Sequence, residues 1–152
     1  KMKMLKGLSL IALVMVISAD ARNLRPNDVS IEAEPYTVVF QFYNNANQDA
    51  ELFSFAHIPG SNWSEAGNVE VAGYGGFLQR QLTGPDDGTE GGGMFQIQYA
   101  TRDRFFAVAT IGGEEPLCIA DVMMGENYYV DISSEYDITD RTLTCIVTAA
   151  DK

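Results

Sequence analysis

The sequence predicts an all-β domain, a sandwich or a barrel, with little helix. Three observations carry that expectation. Apolar and β-branched residues alternate with polar ones at period two from Tyr36 onward. Clusters of Gly, Asp, Asn and Pro separate about nine such runs at roughly 8–14-residue spacing. No stretch sustains an apolar period of about 3.6 residues, so long helices are not expected.

The first run is Tyr36–Tyr43, rich in β-branched and aromatic residues. Asn44–Asp49 is turn material. A second strand, Glu51–His57, stops at Pro59-Gly60. Val69–Ala72, Phe77–Leu82 and Met94–Tyr99 follow; in the last, Gln96 and Gln98 alternate with Phe95, Ile97 and Tyr99, as in a half-buried sheet. Phe105–Ile111, Leu117–Met123, Tyr128–Ile132 and Leu143–Thr148 complete the set. The longest separator, Thr83–Gly93 (TGPDDGTEGGG), reads as a loop. No repeat of fixed period occurs, which disfavours a propeller or solenoid.

The chain is expected to divide as a signal peptide at 1–21, an extended arm at 22–35 and one β-domain at 36–152. Lys1, Lys3 and Lys6 form a positive n-region, Leu8–Ile17 an apolar core, and Ala19-x-Ala21 a cleavage site. The apolar run is shorter than the roughly 20 residues that cross a bilayer. Secretion follows, with a soluble mature chain from about Arg22. Removing 1–21 takes away three lysines and one aspartate, so the net charge moves from −11 to −13. In the arm, Arg22-Asn23-Leu24-Arg25 fits the R-x-L-R pattern of host-directed effectors. A solvated arm explains the same residues.

Twenty-one acids against ten bases exclude nucleic acid as a natural partner, because phosphate binding needs a Lys/Arg surface. One histidine and two cysteines exclude most self-contained zinc sites. In an oxidising compartment Cys118 and Cys145 read as one disulfide; two separate buried thiols are the alternative.

His57 ends an apolar strand, and no G-x-S-x-G elbow accompanies it, so it reads as a satisfied structural histidine rather than a catalyst. Asp86-Asp87-Gly88-Thr89-Glu90 lacks EF-hand spacing and reads as a solvated acidic loop. No metal and no cofactor are expected. Gly91–Gly93 and Gly73-Tyr74-Gly75-Gly76 have no Lys-Ser/Thr follow-up and are not phosphate loops. Asn62-Trp63-Ser64 is the chain's N-glycosylation sequon, making Asn62 a candidate acceptor. Trp63 is a core anchor on one reading and a sugar-stacking platform on the other.

Several segments, in order, resemble the fungal fruit-body lectin family, which shares the β-sandwich of actinoporin toxins. They are Gly60–Glu65 (GSNWSE), Gly93–Ile97 (GMFQI), Phe105–Thr110 (FFAVAT), Cys118–Val122 (CIADV) and Tyr128–Ile132 (YYVDI). The resemblance spans roughly Tyr36 to Asp131. It implies a single-domain antiparallel β-sandwich, actinoporin-like, and a sugar-binding loop end. Gly60 and the Gly75-Gly76 turn are the loop positions it carries over. The family's His-Asn pair is absent near Gly112-Gly113-Glu114.

The sequence therefore predicts a secreted, extracellular, non-enzymatic binding module for a neutral glycan or glycoprotein. Gly60, Gly75, Gly76, Gly113 and Glu114 are its candidate contacts. Glycines let backbone N–H groups meet a ligand unobstructed, and Glu114 adds an acceptor. A secreted effector or a membrane-acting protein of the same fold is the alternative.

Overall fold

The computed structural model describes residues 34–152 apart from 66, 86, 87 and 113–115. The expected signal peptide, most of the arm, and both Gly113 and Glu114 lie outside the described residues.

Ten strands run in order: β1 (Thr37–Asn44), β2 (Ala50–His57), β3 (Asn62–Trp63), β4 (Val69–Val71), β5 (Gly76–Thr83), β6 (Gly91–Tyr99), β7 (Arg104–Ile111), β8 (Leu117–Met124), β9 (Tyr128–Asp137) and β10 (Thr142–Asp151). They form two five-stranded sheets, ordered β3-β5-β1-β10-β9 and β4-β2-β6-β7-β8. The architecture is an open β-sandwich, and no helix occurs among the described residues.

Alternation builds the core. Val38, Phe40, Phe42 and Asn44 of β1 point inward beside Leu143, Cys145, Val147 and Ala149 of β10. Phe95, Ile97 and Tyr99 of β6 and Phe105, Ala107, Ala109 and Ile111 of β7 face them from the other sheet. Phe95 meets Phe40 edge-on at 4.4 Å between centroids. Arg80 breaks the apolar pattern of β5; its guanidinium reaches Glu65 at 2.7 Å. Cys118 on β8 and Cys145 on β10 form a disulfide with Cα atoms 6.0 Å apart, so the bond ties one sheet to the other. The two-free-thiol alternative falls.

Three features differ from the sequence expectation. Gly91–Gly93 is the start of β6, not the end of a loop. The three glycines are buried, and side chains have no room: a Cβ on Gly92 would strike the Ala109 carbonyl, and one on Gly93 the Trp63 ring. Glycine in a strand marks close approach of this kind. The second difference is β3, two residues that pair with the end of β5 before the chain switches sheets to β4. Third, β1 and β10 run parallel, with Phe40 beside Cys145, whereas every other pair is antiparallel.

The registers define two loop ends. Asn44 pairs with Gly76 and Ala149, and Ala50 with Val71 and Tyr99. The connections 45–49, 72–75, 100–103 and 125–127 therefore gather at one end, here the Tyr74 end. The connections 58–61 and 138–141, with the last residues of β5 and β7 and the first of β6 and β8, lie at the other, the Gly60 end.

Candidate functional site

A buried hydrogen-bond hub builds the Tyr74 end. Asn44 is fully buried; its Nδ2 donates to the carbonyls of Gln48 (2.8 Å), Val71 (3.0 Å) and Ala72 (3.1 Å). The Tyr99 hydroxyl donates to Asn44 Oδ1 at 2.8 Å from the opposite sheet. A buried amide must satisfy its donors and acceptor, and here doing so fastens two loops to the core. The Tyr99 ring stacks on Tyr128 at 4.0 Å. Burial, then Tyr128 and Asp151, pushes the Tyr99 phenol above its ordinary value, so it stays a donor at neutral pH.

Asp103 anchors the neighbouring loops. Thr101 Oγ1 donates a short hydrogen bond to it, and Asn127 Nδ2 donates at 2.8 Å. The Thr101 hydroxyl first, then the Asn127 side chain and the Asn127 and Glu126 backbone, hold its carboxyl below the usual range against the desolvation that opposes them.

Above the hub lies an open cleft of about 610 Å³, lined by Asn47, Gln48, Asp49, Ala50, Glu51, Glu70, Gln98, Tyr99 and Ala100. Its lining offers amides and three carboxylates, with no Lys or Arg. Groups of that kind exchange hydrogen bonds with hydroxyls and repel anions. Asp49 Oδ1 accepts from the Gly73 N–H at 2.8 Å, which joins the cleft to the next turn.

That turn displays Tyr74. Its φ is 57°, a left-handed conformation uncommon for a bulky residue. Its N–H donates to the Ala46 carbonyl at 2.7 Å, and the side chain is 83% exposed. Strained backbone of this sort persists where surrounding structure over-determines it. Gly73 and Gly75 flank it; Gly75 has φ 100°. A Cβ on Gly76 would strike the Ala72 carbonyl. On the outer face of the same end, Tyr43 and Phe77 pair at 4.8 Å and are both exposed.

The expected site residues do not come together. Gly75 and Gly76 belong to the Tyr74 end. Gly60, with φ 89°, turns the chain after β2 at the Gly60 end, against Pro85. Asn62 is exposed on β3, an edge strand rather than the loop expected for a sequon. Trp63 is a core residue: its ring lies 4.5 Å from Phe95 and 5.9 Å from Phe40. The platform reading for Trp63 falls, because the ring faces the other sheet. His57 differs from expectation too. It is exposed at the end of β2, beside an apolar hollow with Ile58, Pro59 and Met94. Ser64 Oγ accepts from the Gln81 N–H of the neighbouring strand β5.

Sequence reasoning missed Tyr74, Asn44 and the cleft. A lone aromatic inside Gly-Tyr-Gly-Gly was the available signal. Asn44 gave none, since it looks like any turn asparagine.

No family model matches the chain, and no curated protein matches it in sequence. Solved structures do match. IP-1A from Alcaligenes faecalis superposes with a TM-score of 0.55 over 80% of this chain and 95% of that one, at 12% identity. The lectin XCL from Xerocomus chrysenteron superposes with a TM-score of 0.50 over 76% and 99%, at 11% identity. The sandwich is similar in fold to these two structures, one of them a fungal lectin. At such identities the likeness is one of architecture. Among the described residues no helix is long and apolar enough to cross a membrane, and no group of three or more metal-ligating side chains occurs.

Proposed function

We propose that this chain is a secreted, non-enzymatic binding module that takes a neutral carbohydrate at the Tyr74 end. The observation that carries the reading is the cleft: amide and carboxylate groups from Asn47, Gln48, Asp49, Glu51, Glu70 and Gln98, at the same loop end as the exposed Tyr74. Sugars are held by such combinations, with hydroxyls hydrogen-bonded and an apolar pyranose face against an aromatic. The lectin fold supports it, as does a rigid sandwich that carries its function on end loops. The Cys118–Cys145 bond suits an oxidising, extracellular setting. Of the glycines expected to meet a ligand, Gly75 and Gly76 shape the Tyr74 turn, and the Gly75 N–H donates to the Asn44 carbonyl at 2.8 Å. Gly60 sits at the opposite end and has no part in this cleft.

A glycan array probed with the wild type and with Tyr74→Ala tests the reading. Binding to a defined neutral glycan, lost or weakened in Tyr74→Ala, is expected. An array blank for the wild type overturns it.

One observation favours a second reading, a membrane-surface protein. Tyr43, Tyr74, Phe77 and Tyr129 are all exposed at or near one end, as interfacial aromatics are. Sedimentation with neutral phosphatidylcholine vesicles, in the presence and absence of free sugar, separates the two.

A further inference from the structure

A sheet edge presents a row of unpaired N–H and C=O groups that can template a foreign strand, so folded chains shorten, charge or cover their edges. This sandwich has four edges, formed by β3, β9, β4 and β8. β3 has two residues and β4 three, too few to template a partner. β9 has ten, but it exposes Asp131, Glu135 and Asp137, so a second copy laid along it would set carboxylate against carboxylate.

β8 lacks these defences. It runs eight residues, LCIADVMM, with no Pro, Lys or Arg and with Asp121 as its single charge. Among the described residues it pairs with β7 alone. Leu117 and Ile119 stand on its outer face, 47% and 45% exposed. The register sets Ile119 beside Val108 and Val108 beside Met94, so the apolar row continues across the sheet.

We propose that β8 is a self-pairing edge: two copies of this chain join antiparallel through it about a two-fold axis, merging two sheets into one. The occupant must be a strand, because what the edge offers is backbone. It must also be nearly uncharged, and with a net charge of −11 most surfaces of this chain are not. β8 itself meets both demands. In the antiparallel register centred on Ile119, Asp121 falls opposite Leu117 of the other copy, not opposite a second Asp121. The two-fold leaves both copies' Leu117 and Ile119 on one continuous face. A two-fold contact of this kind is isologous and closes at the dimer. The inference stands apart from the carbohydrate reading.

Sedimentation equilibrium on the wild type, from micromolar to near-millimolar protein, tests it. The molar mass is expected to rise to twice that of one chain. Ile119→Lys, at an exposed position, is expected to stay at one chain with an unchanged circular dichroism spectrum, whereas Ser133→Lys on β9 keeps the dimer. Should Ile119→Lys fail to fold, Leu117→Glu, which sets a second carboxylate opposite Asp121 of the other copy, reads the same edge. An equal mixture of Ile119→Lys and Ile119→Glu is expected to recover the doubled mass that neither shows alone. A wild type that stays at one chain throughout, a dimer that persists in both Ile119→Lys and Leu117→Glu, or a mixture that stays single overturns the proposal.

Discussion

The Trp63 ring occupies the space where a side chain on Gly93 would begin. One residue sits on the two-residue strand β3 and the other on β6, in opposite sheets. The missing Cβ is what lets the indole lie against Phe95.

Removing the ring should therefore be costly. Trp63→Ala is expected to destabilise by about 3–5 kcal/mol, the scale of a large aromatic lost from a core. Gly93→Ala should cost about 1–3 kcal/mol by overpacking. The double variant should cost less than the two combined, because truncating the ring makes room for the methyl. Urea unfolding of all four proteins measures the cycle, and simple additivity would contradict the contact.

The Cys118–Cys145 bond closes a 27-residue separation between sheets. On the chain-entropy model it contributes about 3–4 kcal/mol. The Cys118→Ala, Cys145→Ala double variant should lose about that much. Intact mass of the wild type should show no alkylation until reductant is added.

Tyr74 sets display against backbone comfort. Tyr74→Asn should raise stability by about 1 kcal/mol, since asparagine accepts the left-handed conformation better. The same change should weaken glycan binding about fivefold or more, the effect of losing roughly 1 kcal/mol of aromatic contact. Tyr74→Phe should bind nearly as well as the wild type. Thermal unfolding and glycan titration read the two effects separately.

Asp103 gives a pH signature. Its folded carboxyl lies below the usual range, whereas the unfolded value is about 3.9. The ionised form is thus favoured by folding. Its stabilisation is complete above the unfolded value and is lost as pH falls through the folded one. Asp103→Asn should be clearly destabilising at neutral pH, and the deficit should shrink below about pH 4. Unfolding midpoints along a pH series decide it; a deficit independent of pH would mean that the carboxylate's charge is not what stabilises the fold.

The strands were legible because alternation is a local signal that survives in eight residues of β1 or β7. The glycine start of β6 was not, since its reason lies in Trp63, thirty residues upstream and in the other sheet. β3 was too short to show a period. The parallel pairing of β1 with β10 is non-local, and nothing in either strand announces it. The separation of Gly60 from Gly75 was within reach: one pass of chain lies between them, so their turns must fall at opposite ends. Asn44 and Tyr99 stayed hidden because each finds its role only in the other.

The parallel pair has a temporal meaning. Thr37 meets Thr142 and Asn44 meets Ala149, so the middle of one sheet is assembled from the two extremes of the domain. While a ribosome is still making β9, β1 has one of its two neighbours missing. Loop closure over that span must come before the pairing can reward it, which makes such contacts slow to form. Until the final strand emerges, the nascent domain holds an open seam along Val38, Phe40 and Phe42, and a chaperone would find its binding surface there.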